Sequence, residues 1–414
     1  MAEGLINNRD FILFGLQPWD IGIGSNFKNM AREIAKHNRV LYVNYPADRI
    51  SIIRNKHEQR IKNRMAALRE GKNVLKEEFA NLWVLNPQTI VESINYIPFA
   101  SIYDKLNFIN NRRLALKINN ASNQLGFRDP ILVIDNDFLR GFYLPNLIPN
   151  QAFVFYIRDY LLSQPYFKKH GSRLESKMIK KANAVACNST YLASYARELN
   201  AKSYDIGQGC DIDTFLQNRS ERPEEIRDLK GPLIGYCGAL LSSRLDIDLI
   251  EYIAKDHNDW NFVFVGPEDQ TFRNSRLHQM KNIVFTGAMP FESLPGFVHH
   301  FDVCINPQLV NQMTLGNYPR KIDEYLAAGK PVVATYTPAM EPFSNYVYLS
   351  HSANEFNDYL NVAMQDQVNV DIHKRVEFAK SHTWEASVEK LYEIIHSLIK
   401  NEKVSINREV EYDQ

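Results

Sequence analysis

Asn317-Tyr-Pro-Arg-Lys-Ile-Asp-Glu-Tyr-Leu-Ala-Ala-Gly-Lys-Pro-Val-Val-Ala-Thr335 reads as one helix and one strand with clear punctuation. Asn317 suits a cap, and Pro319 suits a first helical turn, where an N–H has no partner anyway. Gly329 fits the C-terminal stop, Pro331 prevents continuation, and Val332-Val333-Ala334 forms the next strand. Arg320 and Lys321 stand at the N-terminal end of the helix, where the macrodipole disfavours cations. Charges set against that preference point to an anion, and a helix N-terminus beside Lys321 and Arg320 suits a phosphate. Glu324 follows Lys321 by three positions, and a carboxylate there can accept hydrogen bonds from vicinal hydroxyls such as those of a ribose. The same residues also fit a capped surface helix with a solvated Lys–Glu pair.

Outward from this stretch, short apolar runs alternate with helical patterns. In the first half the strands are Phe11–Gly15, Val40–Asn44, Leu82–Leu85, Ile131–Ile134, Phe153–Ile157 and Ala184–Cys187, with a helix over Ser25–His37. The pattern restarts at Leu233–Cys237 and continues through the helix Asp246–Lys255, then Asn261–Val265, Ile283–Phe285 and Asp302–Asn306. This alternation predicts α/β architecture with mostly parallel, doubly wound sheets covered by helices. The chain has 414 residues, enough for two large domains. The expected division is 1–212, 213–385, and a closing helix with a polar tail over 386–414. Two Rossmann-like domains bind ligands at the carboxyl ends of their strands, and those ends would line one cleft.

Composition narrows the function classes. The 48 basic and 48 acidic residues cancel, which argues against a generally basic nucleic-acid binder. The hydrophobic share of 45% is too high for disorder. Cys187, Cys210, Cys237 and Cys304 lie in or beside apolar runs, with no C-x-x-C pair, so a disulfide framework or a cysteine metal site is not expected. Glu3, Arg9 and Asp10 interrupt any signal-peptide core, and no run reaches the roughly 18 to 20 apolar residues of a membrane span. A cytoplasmic protein is expected. Neither half carries a full Gly-x-Gly-x-x-Gly with a following acidic residue, which disfavours nicotinamide chemistry.

The segment around Glu324 resembles the nucleotide-sugar site of GT-B glycosyltransferases of group 1, family 4-like. Glu324, Ala327, Gly329, Pro331, Val332 and Val333 stand in the places of that signature. Other fragments are similar: Ile234–Leu240 to the first donor-domain strand and its Gly loop through Gly238, and Phe285–Pro290, with Met289, to the loop that holds the nucleobase. Gly209–Phe215 resembles the linker between the domains. The resemblance implies a GT-B fold of two facing Rossmann-like domains, an N-terminal one for the acceptor and a C-terminal one for the nucleotide sugar. It implies donor binding by Gly238, Arg244, Met289, Asn317, Arg320, Lys321 and Glu324, and a retaining transfer. It implies a UDP- or GDP-linked co-substrate, with no further cofactor and no metal. Two departures stand out: Gly316 occupies the place of an upstream Glu, and Ala239 follows Gly238 where relatives often have Arg.

In the N-terminal half, Gly22 and Gly24 after Trp19-Asp20 can let a ligand approach backbone N–H groups, or can form a tight turn. Arg158-Asp159 ends a strand where many relatives have His-Asp, so Arg158, Asp159 and Lys321 are the expected catalytic residues; a local ion pair is the alternative for Arg158-Asp159. Asp135 and Asp137 read as lining or capping residues, and His299-His300 as a helix end. The segment 49–76 holds nine Lys or Arg with interleaved Ile, Met and Leu. A basic amphipathic stretch of this kind can rest on anionic lipid, placing the protein at the inner face of the membrane; a solvated helical excursion is the alternative. The reading is therefore a glycosyltransferase acting on a glycan or lipid-linked acceptor in surface polysaccharide synthesis, without nucleic acid. The competing readings are a non-catalytic sugar-nucleotide binder or scaffold, and a sugar-nucleotide epimerase.

Overall fold

A computed structural model describes residues 6–20, 25–217, 221–365 and 372–412, with side chains to residue 400. The chain divides into two compact units, Met1–Gly207 with Trp384–Gln414, and Gln208–Thr383.

Among the described residues the first unit carries ten strands: β1 Asp10–Gly15, β2 Arg39–Val43, β3 Ala47–Asp48, β4 Leu75–Phe79, β5 Leu82–Leu85, β6 Ile90–Val91, β7 Ile131–Asp135, β8 Ala152–Ile157, β9 Ala184–Cys187 and β10 Ser203–Asp205. Eight of them form one sheet in the order β10-β9-β8-β7-β1-β2-β5-β4, and β3 pairs β6 separately. All pairs in the large sheet are parallel except β4 on β5. Parallel strands are covered on both faces, so they read as continuous apolar runs. β1, β7 and β8 are buried along their whole length.

The helices here include α1 (Asn26–Ala35), α2 (Arg49–Arg54), α3 (Gln59–Glu70) and α4 (Ala100–Gln124). α1 buries Phe27, Met30, Ala31, Ile34 and Ala35, the i, i+3, i+4, i+7, i+8 spacing of a helix laid on a sheet. The helix Trp384–Tyr412 belongs to this same unit. Its Val388, Leu391 and Ile395 join the core with α1, and the Tyr392 hydroxyl accepts a hydrogen bond from Asn38 Nδ2 at 2.8 Å.

The second unit holds β11 Leu233–Cys237, β12 Asn261–Val265, β13 Ile283–Gly287, β14 Val303–Asn306, β15 Val332–Thr335 and β16 Tyr348–Ser350. They form one parallel sheet in the order β13-β12-β11-β14-β15-β16. The helix Ile247–Asp256 begins where the sequence predicts, with the Asp246 carboxylate accepting from Leu249 N at 3.0 Å. Both units are thus doubly wound α/β layers of the Rossmann type.

Candidate functional site

In the second unit the strand order reverses beside β11: β12 and β13 lie on one side, β14 to β16 on the other. Ligands of open α/β sheets bind at the carboxyl ends of strands at such a point. β11 ends there at Cys237, and Gly238 follows it. Gly238 has φ of 144°, and a Cβ on it would sit 3.1 Å from both Lys321 Cε and the Tyr236 hydroxyl. Gly266, at the end of β12, has φ of 151°, and a Cβ there would lie 2.0 Å from the Gly238 carbonyl oxygen. The two loops therefore touch through backbone, which only glycine allows. The loop is pinned from below, where Cys237 N donates to the Tyr325 hydroxyl at 2.8 Å.

Two cations stand at this edge. Lys321 Nζ lies 4.9 Å from the centre of the Tyr236 ring, a contact that orients an ammonium without neutralising it. Arg244 follows β11 and is half-buried. Among the described residues neither side chain has a carboxylate partner. Half-buried cations not committed to a salt bridge form a prepared place for an anion.

The environment of Glu324 differs from the sequence reading. Its partner is Arg320, not Lys321: Arg320 Nε donates to Glu324 Oε1 at 3.1 Å. Arg320 is therefore committed to a carboxylate and is not a free diphosphate ligand. An i, i+4 spacing brings the two together, as helical geometry allows. Glu324 is 6% exposed. Burial pushes its carboxyl above the ordinary range, and Arg320 and Lys321 pull it back. Among the described residues Oε2 accepts no hydrogen bond, so one oxygen of the pair stays open. Asn317 does not cap the helix either. The helix runs Lys321–Ala327 with Arg320 at the N-cap position, and Pro319 precedes that cap. Beside Glu324, the buried Asp323 accepts from the Tyr318 hydroxyl at 2.8 Å and pairs with His382 Nδ1 at 2.7 Å. Met289 packs half-buried on the core under β13.

In the first unit, Arg158 and Asp159 leave the carboxyl end of β8. Arg158 Nε donates to Asp135 Oδ1 at 2.7 Å and Nη1 to Asp159 Oδ2 at 3.3 Å. The local ion pair is thus the arrangement present, and the Arg158 side chain is only 12% exposed. Asp135 is fully buried at the end of β7, with Oδ2 unpartnered among the described residues. Burial raises its carboxyl pKa and Arg158 opposes that. It is held by its charge partner and does not line a cleft. Asp137 does cap, accepting from Arg140 N at 2.9 Å. Asp159, with 35% of its side chain exposed, is the open member of the group. Gly22 and Gly24 lie outside the described residues.

The basic stretch 49–76 is not one lipid-facing amphipathic segment. Arg64 is 4% exposed and binds Asp20 and the Asn86 side chain, and Ile61 is buried with it. Arg49, Arg60, Lys72 and Lys76 pair with Glu92, Glu58, Glu70 and Glu78. Most of its charge is spent on local carboxylates. The four cysteines are free and buried. His299 and His300 close the helix Leu294–His300. Among the described residues no cluster is placed to hold a metal ion, and no helix is long and apolar enough to cross a membrane.

Comparison with known proteins agrees with the geometry of the second unit. Residues 231–366 match the family described as Glycosyl transferases group 1. TuaH of Bacillus subtilis (strain 168), named as a glycosyltransferase of teichuronic acid biosynthesis, is 29% identical over 201 residues, 46% of this chain and 50% of that protein. The match thus spans about half the length of this curated relative. Two solved structures share the fold. Sucrose-phosphate synthase from Thermosynechococcus elongatus has a TM-score of 0.64 at 14% identity, over 95% of this chain and all of that one. Anabaena HepE, solved with UDP, has a TM-score of 0.56 at 14% identity, over 97% of this chain and all of that one. The resemblance to GT-B glycosyltransferases read from the sequence is borne out.

Proposed function

We propose that this chain, whose second unit matches the group 1 glycosyltransferases, transfers a sugar from a nucleotide-sugar donor to a hydroxyl of a glycan or lipid-linked acceptor in surface polysaccharide synthesis. One observation carries the reading: at the strand-order reversal of the second sheet, a glycine loop through Gly238 lies against an unpaired Lys321 held over Tyr236. Glycosyl transfer passes through an oxocarbenium-like state while a nucleoside diphosphate departs. The growing charge on that leaving group needs fixed positive potential, which Lys321 and Arg244 supply. Gly238 lets the diphosphate come close to backbone. Glu324 Oε2 accepts from the ribose hydroxyls, while Arg320 holds the other oxygen and fixes the rotamer. Arg320 is thus a positioning residue in this scheme. Met289 and the loop after β13 border the base.

Asp159, steadied by Arg158, is the first unit's group for holding an acceptor hydroxyl. No cofactor is needed besides the nucleotide sugar. UDP is favoured as the carrier by the UDP complex of the Anabaena relative, with GDP the alternative. The teichuronic acid biosynthesis in the name of the TuaH relative supports a wall- or surface-polysaccharide acceptor, and a lipid-linked acceptor of that kind places the reaction at the inner face of the membrane. The resemblance supports retention of anomeric configuration.

The test is turnover. The protein is mixed with UDP- and GDP-sugars and lipid-linked or oligosaccharide acceptors, and released nucleoside diphosphate and product are followed. Product formation with one donor, with the anomeric proton of the new bond matching that of the donor, supports the proposal. Donor binding without any transfer moves the chain to the non-catalytic binder class. Interconversion of the sugar on its nucleotide makes it an epimerase.

A further inference from the structure

The geometry points to a lipid-docking face on the first unit, formed by the outer side of α4 with the exposed end of α2 and the loop before α4. It rests on the proposed function only in giving a lipid-linked acceptor a place to be met.

α4 carries apolar residues on both sides, with Asn107, Asn110 and Asn111 buried among those of the inner one. Its inner side buries Tyr103, Leu114 and Ile118 in the core. Its outer side leaves Ile102, Phe108, Ile109 and Leu116 exposed, at 47%, 41%, 43% and 56%. Lys105, Arg112 and Arg113 are exposed between them. At 100° per residue these positions fall on one arc about 140° wide. Two acidic side chains lie beside this arc: Asp104 of α4 is taken by Arg173 through two hydrogen bonds, and Glu92 pairs with Arg113. Lys105 and Arg112 have no side-chain partner among the described residues.

The face continues past the helix. Tyr96 and Phe99 are 71% and 64% exposed, and Ile53 of α2 is 71% exposed. Arg113 and Arg49 share Glu92, which ties the start of α2 to the side of α4. Between them lies a cavity of about 480 Å³ whose buried lining mixes Ile94, Leu114 and Leu139 with Asn107, Asn110 and Asn111. Its exposed lining residues Ile50, Arg54, Tyr96 and Tyr166 mark an opening onto the same face.

Large apolar side chains exposed together on a chain this size mark an interaction surface. The charge pattern selects the partner. A protein interface gathers its apolar residues into a core and is depleted in lysine. Here unpaired cations alternate with apolar groups along the helix, and aromatic residues stand at the edge. That is the composition of a helix lying in the headgroup region of an anionic bilayer. Each cation near such a surface strengthens binding several-fold.

The test is co-sedimentation of the full chain with vesicles of phosphatidylcholine and phosphatidylglycerol in a two-to-one ratio, against pure phosphatidylcholine. The wild type should pellet with the anionic vesicles and be released by salt. Lys105→Gln with Arg112→Gln should weaken binding by about 30-fold, and Ile102→Glu with Ile109→Glu should abolish it. All four positions are exposed, and unchanged melting temperatures would confirm folded variants. Nucleotide binding should be the same in all, which separates this result from the fate of the glycosyltransferase reading. Absence of vesicle binding, or binding that neither variant alters, overturns the proposal. So does a dimer in solution that the isoleucine variant dissociates without any vesicle binding, since a second copy would then cover the face.

Discussion

Gly266→Ala tests how the fold builds the site. Gly266 follows β12 with φ of 151°, and an added Cβ would lie 2.0 Å from the Gly238 carbonyl oxygen and 2.7 Å from its carbon. Ordinary contacts begin at roughly 3.4 Å, more than 1 Å beyond the first of these distances. The obstacle is backbone, so no rotamer change relieves it. Two costs follow. Holding a non-glycine residue in that region costs about 1–3 kcal/mol. Forcing the Gly238 loop aside costs a further 1–3 kcal/mol or so, as overpacking does. The expected loss is therefore about 2–6 kcal/mol, enough to move a urea midpoint by 1 M or more. The displaced loop is the one that carries Gly238 beside Lys321, so nucleotide affinity should fall as well. Urea unfolding followed by circular dichroism gives the first number, and calorimetric titration with the nucleoside diphosphate gives the second. A variant within about 0.5 kcal/mol of wild type, with unchanged affinity, would refute the contact between the two glycine loops.

Three further outcomes are expected. Arg158→Ala leaves the fully buried Asp135 without its partner and should cost about 3–5 kcal/mol, with a smaller loss at pH 5 than at pH 8 because Asp135 can then take a proton. Glu175 is 1% exposed, accepts from the Tyr195 hydroxyl at 2.7 Å, and is pushed up to about 7 by burial. Its folded value exceeds its unfolded one, so its contribution is fully present below about pH 4.5 and is lost as pH rises through 7, by about 3 kcal/mol in all; Glu175→Gln should flatten that slope in unfolding curves taken from pH 5 to 8. Tyr325→Phe removes the hydroxyl that accepts from buried Cys237 N and should cost about 1–3 kcal/mol in the same assay.

The strands were legible because parallel strands buried on both faces leave continuous apolar runs such as Ile131–Ile134 and Leu233–Cys237. Gly238 and Lys321 were legible as separate punctuation. Their meeting over Tyr236 was not, because a crossover through β12, β13 and β14 brings them together. The Arg320–Glu324 pair was visible in principle as an i, i+4 spacing, but the i, i+3 relation of Lys321 to Glu324 drew the reading away from it. Arg158 and Asp135 lie 23 positions apart and meet only because β7 and β8 are neighbours in register. α4 went unread for a different reason. With apolar residues inside and outside, it has no 3.6-residue alternation to detect. The basic run 49–76 was overread because a sequence shows charges and not their partners, and Arg64 lies inside the unit beside Asp20.

Calorimetric titration of the wild type and of Lys321→Ala with UDP, GDP, ADP, dTDP and CMP tests the central claim most directly. The account predicts that one nucleoside diphosphate binds the wild type, and that Lys321→Ala weakens it by about 10- to 100-fold, the worth of one charged contact. Failure of all five to bind the folded wild type, or undiminished binding to Lys321→Ala, would contradict the assignment of this strand-end loop as the donor site.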